Sequence, residues 1–226
     1  MNEIRVAIDG PAGAGKSTVA KMVARRLGLL YIDTGAMYRA VTWKAIEEGI
    51  PLSDEQKLVE LASNLHIRLQ TNKQKQSVFV NDTNVTEQIR SKEVTEHVST
   101  VSAIPGVRTS LVKMQQKLAQ EQGVVMDGRD IGTCVIPDAE VKIFLTASLE
   151  ERARRRMEEL IRKGVQVDFE ELKSSIAKRD EMDSSREFAP LRKAEDAYSI
   201  DTTNLSLDEV VEQIVSICEK QIGTKL

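Results

Sequence analysis

The chain has 226 residues, of which 41% are hydrophobic, so it can bury the core of one large domain or of a domain with an insertion. A net charge of −3 and an aromatic content of 4% argue against a general nucleic-acid binder and against a base-stacking surface for single strands. Two widely separated cysteines, Cys134 and Cys218, predict neither a disulfide framework nor a zinc site. No apolar stretch approaches the ~20 residues that span a bilayer, and residues 1–3 run directly into a strand, so we expect no signal peptide and a cytoplasmic protein.

Apolar runs typical of buried strands alternate along the chain with amphipathic stretches typical of helices. The alternation predicts an α/β fold with a parallel sheet flanked by helices. Residues 65–86 differ, because two β-like runs flank a polar turn at 71–76 and predict an inserted antiparallel hairpin, with a third short strand at 84–86. The predicted strands are 4–8, 29–32, 124–126, 141–145 and 199–200, and the predicted helices include 17–27, 35–48, 107–122 and a last helix from about Leu207.

Residues 10–17 read Gly-Pro-Ala-Gly-Ala-Gly-Lys-Ser and fit the phosphate-binding pattern G-x-x-x-x-G-K-[ST]. Glycines in such a loop let several backbone N–H groups point at one anion. Lys16 would add a positive charge for the β- and γ-phosphates, and the Ser17 hydroxyl can bind Mg²⁺. The flanks predict a strand before the loop and a helix after it, and a helix N-terminus favours a polyphosphate. We therefore predict a nucleoside triphosphate site rather than a flexible Gly/Ala turn, and a sheet of the P-loop NTPase type.

A second candidate site follows the predicted strand at 124–126. Asp127 would lie at the carboxyl end of that strand, which is the ligand-binding edge of a doubly wound sheet. An apolar run that ends in Asp is weak evidence alone, but beside a phosphate loop it favours Asp127 as a second anchor for Mg²⁺. Arg129 and Asp130 follow immediately and would face the same cleft, the alternative being an ordinary surface turn.

Residues 33–39 are a third candidate, because they follow a predicted strand and open a helix at the same sheet edge. Thr34 can donate a hydrogen bond there, and Arg39 lies about one turn into the helix, where it can grip a phosphate with two N–H groups. The alternative is an ordinary helix start, with Asp33 or Thr34 as the cap and Arg39 in solvent.

Two basic stretches admit a binding and a structural interpretation. If residues 178–186 are helical, Arg179, Asp183 and Arg186 share one face, which suits a phosphate-and-ribose clamp or a solvated ladder of salt bridges. The arginines of residues 152–156 pose the same choice: they can close over a transferred phosphate or form a charged helix face.

The residues also separate the classes of phosphate-loop protein. A regulatory GTPase should carry a guanine-reading N-K-x-D pattern, and the nearest run, at 72–75, lacks the Asp. A motor or helicase would need more chain and a more basic surface. A small phosphotransferase remains, and its second substrate should be anionic, because the chain has more candidate arginines than one triphosphate needs: Arg39, Arg108, Arg129, Arg179 and Arg186.

The order and spacing of four motifs resemble those of the bacterial cytidylate kinase family, within the nucleoside monophosphate kinases; the motifs are residues 10–17, 33–39, 127–133 and 178–186. The resemblance covers essentially the whole chain. It implies ATP-dependent phosphorylation of CMP and dCMP to their diphosphates, with Mg²⁺ as cofactor. It also implies one domain, 1–226, with a core at about 1–34, 104–150 and 190–226, an acceptor-binding insertion at about 35–103 and a short helical lid at about 151–168.

Site residues follow from the same resemblance. The implied ATP-binding residues are Gly10, Pro11, Ala12, Gly13, Ala14, Gly15, Lys16, Ser17, Thr18 and Arg155. For CMP, the acceptor phosphate would be held by Arg39, Arg129 and Arg186, the cytosine by Ser99, Arg108 and Asp130, and the sugar hydroxyls and adjacent phosphate by Asp183 with Arg179, while Thr34 and Tyr38 complete the set. The implied catalytic residues are Lys16, Arg129, Arg179 and Arg186, and the implied metal ligands are Ser17 and Asp127.

Two other classes of function stay open. One is another small-molecule kinase of the same fold, of the UMP or shikimate type, and the other is a nucleotide switch without catalysis. The missing base-specificity motif argues against the switch. We expect ATP and CMP or dCMP as partners, no nucleic acid or membrane, and a monomer, since no heptad seam demands a second chain.

Overall fold

A computed structural model describes residues 4–72, 75–162 and 164–223, and its backbone divides into two compact units, Met1–Tyr31 with Gln122–Leu226, and Ile32–Glu121. The strands are β1 (Arg5–Asp9), β2 (Leu30–Asp33), β3 (Ile67–Asn72), β4 (Lys75–Val80), β5 (Thr83–Asn84), β6 (Val124–Gly128), β7 (Val141–Thr146) and β8 (Tyr198–Asp201). The helices are α1 (Lys16–Leu27), α2 (Thr34–Glu47), α3 (Glu55–Asn64), α4 (Lys92–Ala103), α5 (Pro105–Glu121), α6 (Leu149–Arg162), α7 (Phe169–Ser184) and α8 (Leu207–Gly223), with a 3₁₀ turn at Gln88–Arg90 and a π-helical turn at Ile131–Val135.

The first unit is built on a five-stranded sheet with the order β2–β6–β1–β7–β8. β1 pairs in parallel with β6 and β7, and β7 pairs in parallel with β8. The register sets Asp9 opposite Gly128, so β1 and β6 end at the same edge of the sheet. In doubly wound sheets this edge binds ligands. The predicted α/β class with a parallel sheet flanked by helices is confirmed.

Burial explains why β1 is a short apolar run without alternation. Both of its faces are covered, and Val6, Ala7 and Ile8 are fully buried, as expected for a central parallel strand. α1 packs Val19 and Val23 into the same core, which α8 completes with a further apolar face. The N-terminus of α1 is therefore held firmly at the carboxyl edge of the sheet.

The second unit contains α2 to α5 and the small antiparallel sheet β3–β4–β5. The predicted hairpin is confirmed, and its third strand, β5, begins one residue earlier than expected. Two residues of the predicted turn, at positions 73 and 74, lie outside the described residues. Val78 and Val80 point into a core shared with the helices of this unit, which buries one face of the hairpin.

The two cysteines, both among the described residues, form no disulfide and differ in burial. Cys218 is fully buried on α8, and burial raises the pKa of its thiol to about 12. Cys134, in the π-helical turn, is half-buried. Within the described part of the chain, none of the helices combines the length and apolar character needed to cross a membrane.

Candidate active site

The phosphate loop, residues 10–17, joins the end of β1 to the start of α1. Three of its glycines have positive φ, 148° at Gly10, 77° at Gly13 and 87° at Gly15. Gly10 is required for a second reason, because a Cβ there would lie 2.0 Å from the carbonyl oxygen of Leu145 on β7. Gly15 is the N-cap of α1, so the positive end of the helix dipole lies at the loop. The loop has the backbone form that its pattern predicts.

Lys16 is the first residue of α1 and is only 5% exposed. Its Nζ donates to the carbonyl oxygen of Pro11 at 2.7 Å, inside the loop. Burial, together with the positive charge of Arg129, lowers the pKa of Lys16 to about 7, while Asp127 opposes the shift. A polyphosphate beside this ammonium would supply the missing counter-charge.

Ser17 and Asp127 are in direct contact, as the metal assignment requires. The Ser17 hydroxyl donates to Asp127 Oδ2 at 2.7 Å, and the Tyr31 hydroxyl donates to Oδ1 at 2.7 Å. Among the described residues, no group of three or more His, Cys, Asp or Glu side chains could hold a metal ion. Mg²⁺ in phosphate sites needs only one or two protein oxygens, since phosphates and waters fill the remaining positions. A hydroxyl and a carboxylate this close fit that ion.

Arg129, Asp183 and Arg186 form a compact cluster in the first unit. Asp183 is 1% exposed; it accepts from Arg129 Nε at 2.8 Å through Oδ2 and from Arg186 through Oδ1. Burial alone would raise the pKa of Asp183, but the charges of Arg129, Arg186 and Arg179 outweigh it and hold that pKa below its usual value. Because Asp183 is buried, the cluster is not the solvated ladder that was the structural alternative.

One detail of the sequence interpretation is wrong. α7 ends at Ser184 with Ser185 as its C-cap, so Arg186 does not lie on the helix face with Arg179 and Asp183. It reaches Asp183 from the turn that follows. The three side chains still act on one another, because Arg179 and Arg186 both contribute charge at Asp183.

The segment after β6 is attached to the end of β1. Asp9, at the end of β1, accepts from the backbone N–H groups of Ile131 and Gly132, both at 2.8 Å. Asp130, also buried, precedes these residues as the N-cap of the π-helical turn. The sequence pattern did not single out Asp9, although the argument used for Asp127, a carboxylate at the carboxyl end of a buried strand, applies equally to it.

The arginines of residues 152–156 divide into two kinds. Arg152 is buried and donates to the carbonyl oxygen of Ala12 at 2.9 Å and to Asp180 at 2.5 Å, and Asp180 also accepts from the Ala12 N–H at 3.2 Å. By contrast, Arg154 and Arg156 pair with glutamates of α6, as a charged helix face would. The binding interpretation therefore does not hold for the whole run.

Arg155, the implied ATP-binding arginine of that run, donates to both oxygens of Thr202, at 2.9 Å to the hydroxyl and at 2.6 Å to the carbonyl. Thr202 and Asp180 are further residues that the sequence interpretation missed. Asp180 lies inside the motif at 178–186, next to Arg179, but no spacing rule connects it to Ala12. Thr202 follows β8 at the sheet edge that carries the loop, which is its only sequence signal.

The second unit holds the remaining candidates on α2, α4 and α5. Asp33 caps α2 by accepting from the Ala36 N–H at 3.0 Å, so the capping half of the structural alternative is correct. Arg39 is not simply solvated, since it donates to the Thr95 hydroxyl at 2.9 Å. Arg108 is 1% exposed, with its guanidinium 5.2 Å from the centroid of the Tyr38 ring. Thr34 and Ser99 are also buried in this unit, whereas Thr18, on α1 of the first unit, is exposed.

Taken together, a parallel sheet, a phosphate loop at its ligand edge and a cluster of arginines define a phosphate-loop nucleotide-binding protein. The model of the family Cytidylate kinase matches residues 6–220. The chain is 59% identical over 222 residues to the cytidylate kinase of Geobacillus sp. (strain WCH70), covering 98% of this chain and 99% of that one. It is 56% identical over 219 residues to the cytidylate kinase of Bacillus subtilis (strain 168), covering 97% and 98%. The chain belongs to the cytidylate kinase family.

A solved structure of an uncharacterized protein from Eubacterium ventriosum ATCC 27560 has a TM-score of 0.53 with this chain. Its sequence identity is 14%, and the match covers 97% of this chain and 99% of that one. At this identity the likeness concerns the fold alone, and it agrees with the layered α/β architecture described above.

Proposed function

We propose that this chain transfers the γ-phosphoryl group of ATP to CMP and dCMP, giving CDP and dCDP. The observation that carries the proposal is the family match over residues 6–220, together with full-length relatives named cytidylate kinase at 56% and 59% identity. The geometry of the first unit supports it, since a donor loop and an arginine cluster are what a transfer between two anions needs.

On the donor side, we assign residues 10–17, Thr18 and Arg155 to ATP. The loop would hold the phosphates with backbone N–H groups, and Lys16 would neutralise the migrating group. Ser17 and Asp127 would hold Mg²⁺, which when bound neutralises charge on the β- and γ-phosphates. The support is the 2.7 Å contact between the Ser17 hydroxyl and Asp127 Oδ2 and the burial of Lys16.

On the acceptor side, we assign Arg39, Arg129 and Arg186 to the acceptor phosphate, and Asp183 with Arg179 to the sugar hydroxyls and the adjacent phosphate. The support is that Asp183 contacts both Arg129 and Arg186, so these three side chains lie together in the first unit. Asp130, with Ser99 and Arg108, would read the cytosine. In the second unit, the proposed CMP-binding residues are Thr34, Tyr38, Arg39, Ser99 and Arg108.

The reaction proposed is a direct in-line transfer. An oxygen of the acceptor phosphate attacks the γ-phosphorus while the bond from that phosphorus to the bridging oxygen of ADP breaks. The acceptor phosphate is already ionised near neutral pH, so no general base and no covalent intermediate are needed. The main obstacle is repulsion between two polyanions, which Lys16 and the arginines reduce by compensating their charge. We infer that residues 151–168 act as the lid that excludes water, and that 35–103 form the acceptor-binding insertion.

An acceptor screen tests this function. ADP release would be measured with ATP and Mg²⁺ in the presence of CMP, dCMP, UMP, AMP or shikimate, each against a control without acceptor. We expect turnover with CMP and dCMP that exceeds turnover with AMP and shikimate by at least about 100-fold, because a site that hydrogen-bonds a base rejects one that leaves its polar groups unpaired.

The same screen decides between the remaining classes. Faster turnover with UMP or shikimate would identify another kinase of this fold, and ATP binding without stimulation by any acceptor would indicate a switch. We expect the active species to be a monomer, which sedimentation of the protein with and without both nucleotides would check.

A further inference from the structure

Asp9 is a buried carboxylate with no part in the mechanism described above. It is the last residue of β1, directly before Gly10 of the phosphate loop, and is 4% exposed. Its Oδ1 accepts from the Ile131 N–H and its Oδ2 from the Gly132 N–H, both at 2.8 Å. One carboxylate therefore joins the end of β1 to two neighbouring residues that lie 122 and 123 positions further along the sequence.

The segment that Asp9 holds begins with proposed acceptor residues. Arg129 and Asp130 come directly before Ile131, and the π-helical turn Ile131–Val135 follows Asp130. The first N–H groups of any helix lack partners within it. Two of these groups in this turn are satisfied by Asp9, so the carboxylate acts as a cap supplied from another strand.

The segment is also confined from its other side. A Cβ on Gly132 would lie 3.2 Å from Cδ of Lys142 and 3.5 Å from Oδ2 of Asp9. Lys142 is itself held, because its ammonium pairs with Asp196 at 2.7 Å. A methyl group on Gly132 would therefore be tight against Lys142 and in ordinary contact with Asp9. Both neighbours limit where the backbone after Asp130 can lie relative to β1.

Keeping a carboxylate in this position is unfavourable by itself. Burial raises the pKa of Asp9 to about 7, against the lowering effect of its two backbone hydrogen bonds. A neutral cap such as Asn or Ser would avoid this cost but would not accept both N–H groups with two equivalent oxygens.

We propose that Asp9 is a positioning residue: it fixes Arg129 and Asp130 at a set distance from the phosphate loop, so that the acceptor is held in line with the donor. This inference rests on the proposed function, because it uses the acceptor roles of Arg129 and Asp130. Asp9 is joined directly to the loop through Gly10, and its two hydrogen bonds place the acceptor segment. In-line transfer is sensitive to such placement, since a displacement of about 1 Å can cost about 100-fold in rate.

The test is Asp9→Asn, which keeps the volume but leaves one of the two N–H groups facing an amide NH₂. We expect kcat/KM for CMP to fall about 10- to 100-fold, with KM for CMP raised and KM for ATP within about threefold of the wild type. Hydrogen exchange at the amides of Ile131 and Gly132 should accelerate at the same time. The matched control is Asp54→Asn, because Asp54 also caps a helix, by accepting from the Lys57 N–H, but on α3. It should leave both KM values unchanged.

A second variant keeps the inference testable if Asp9→Asn does not fold. Gly132→Ala leaves the charge of Asp9 intact but places a methyl group 3.2 Å from Cδ of Lys142, which should shift the segment that carries Arg129 and Asp130. It should therefore raise KM for CMP more than KM for ATP. Equal changes in both KM values, or a change only in thermal stability, would overturn the positioning role. If the wild-type protein does not phosphorylate CMP, the proposed function is wrong, and the exchange rates of Ile131 and Gly132 then decide whether Asp9 holds the segment.

Discussion

The phosphate loop and the arginine cluster both present positive charge in the first unit, but they are built in opposite ways. The loop is one contiguous stretch whose form comes from backbone, with positive φ at three glycines. The cluster is assembled from side chains: Arg129 follows β6, Asp183 lies in the last turn of α7 and Arg186 lies beyond it. The loop offers partial charges on N–H groups, whereas the cluster offers full charges on guanidinium groups.

This difference has an electrostatic consequence. Backbone N–H groups need no counter-charge, so the loop can keep its form without a ligand. Neighbouring guanidinium groups repel one another, and a buried carboxylate is required to hold them until an anion arrives. Asp183 meets this need, since two arginines bond to it and its pKa is held low. The two arginines and one carboxylate of the cluster still carry a net positive charge, which a bound phosphate would neutralise.

The largest effect should come from removing one member of the cluster. In Arg129→Ala, we expect kcat/KM for CMP to fall by at least about 100-fold, because a charge that stabilises the transferred group is lost. The affinity for ATP should stay within about threefold, since the loop does not depend on Arg129 for its form. Steady-state kinetics with each substrate varied in turn, together with ATP titration, measure the two effects.

The control for this change is Arg26→Ala, which removes an arginine of a solvent-exposed ion pair with Glu212 on the same unit. It should leave both substrates unaffected. A rate equal to that of the wild type in Arg129→Ala would contradict the proposed role of Arg129. An equal loss of affinity for ATP and CMP would show that the phosphate loop and the arginine cluster do not act on different substrates.

The same contrast explains what could be predicted from the sequence. The loop was readable because its residues are adjacent and its flanks show the periodicity of a strand and a helix. The contact between Ser17 and Asp127 could be anticipated, because Asp127 lies near the carboxyl end of β6 and Ser17 ends the loop that follows β1, the neighbouring parallel strand. The core strands and the four helices that were given bounds lie within a few residues of their predicted positions, whereas α3, α4, α6 and α7 had no predicted bounds.

The arginine cluster was harder to predict from the sequence, because it depends on the residue at which α7 ends. The Ser184–Ser185 pair is a weak stop signal, so a helix through Arg186 was a reasonable extrapolation, yet the chain turns there. Asp9 and Asp180 were missed because each accepts from backbone N–H groups: Asp9 from Ile131 and Gly132, and Asp180 from Ala12. Every residue but proline carries such a group, so no residue pattern marks it.

The pKa of Lys16 allows a pH-dependent test of the comparison, and the expected effect lies between those of Arg129→Ala and Asp180→Asn. Its pKa is about 7 in the free protein, and a bound polyphosphate should raise it. ATP binding should therefore take up a proton above pH 7, and the affinity should fall with rising pH between about 7.5 and 9, by at most about tenfold per unit. Calorimetry at pH 8 in buffers of different ionisation enthalpy should show uptake approaching about one proton.

The variant Lys16→Met separates the possible sources of that proton. Its ATP binding should be weak and without proton uptake; uptake that persists would belong to another group, with Asp9 the first candidate because its pKa is also about 7. No uptake in the wild type would mean that Lys16 is already protonated, and that the loop, like the arginine cluster, has its own counter-charge before any ligand binds.

The smallest effect concerns a pair of side chains that hold the backbone of the loop at Ala12. The Ala12 peptide donates to Asp180 at 3.2 Å and accepts from Arg152 at 2.9 Å, and these two side chains pair with each other. In Asp180→Asn the amide still accepts from Ala12 but no longer balances the charge of Arg152. We expect KM for ATP to rise about three- to tenfold, the equivalent of one ordinary hydrogen bond, with KM for CMP unchanged.

Asp180→Asn is therefore the donor-side counterpart of Asp9→Asn, which should act on the acceptor. Glu159→Gln is its control, because Glu159 pairs with Arg156 on the charged face of α6, where a lost ion pair should cost little. If Asp180→Asn changed KM for CMP as much as KM for ATP, the pair formed by Arg152 and Asp180 would act on both substrates. The loop would then depend on side chains as much as the arginine cluster does, and its backbone form would not be self-sufficient.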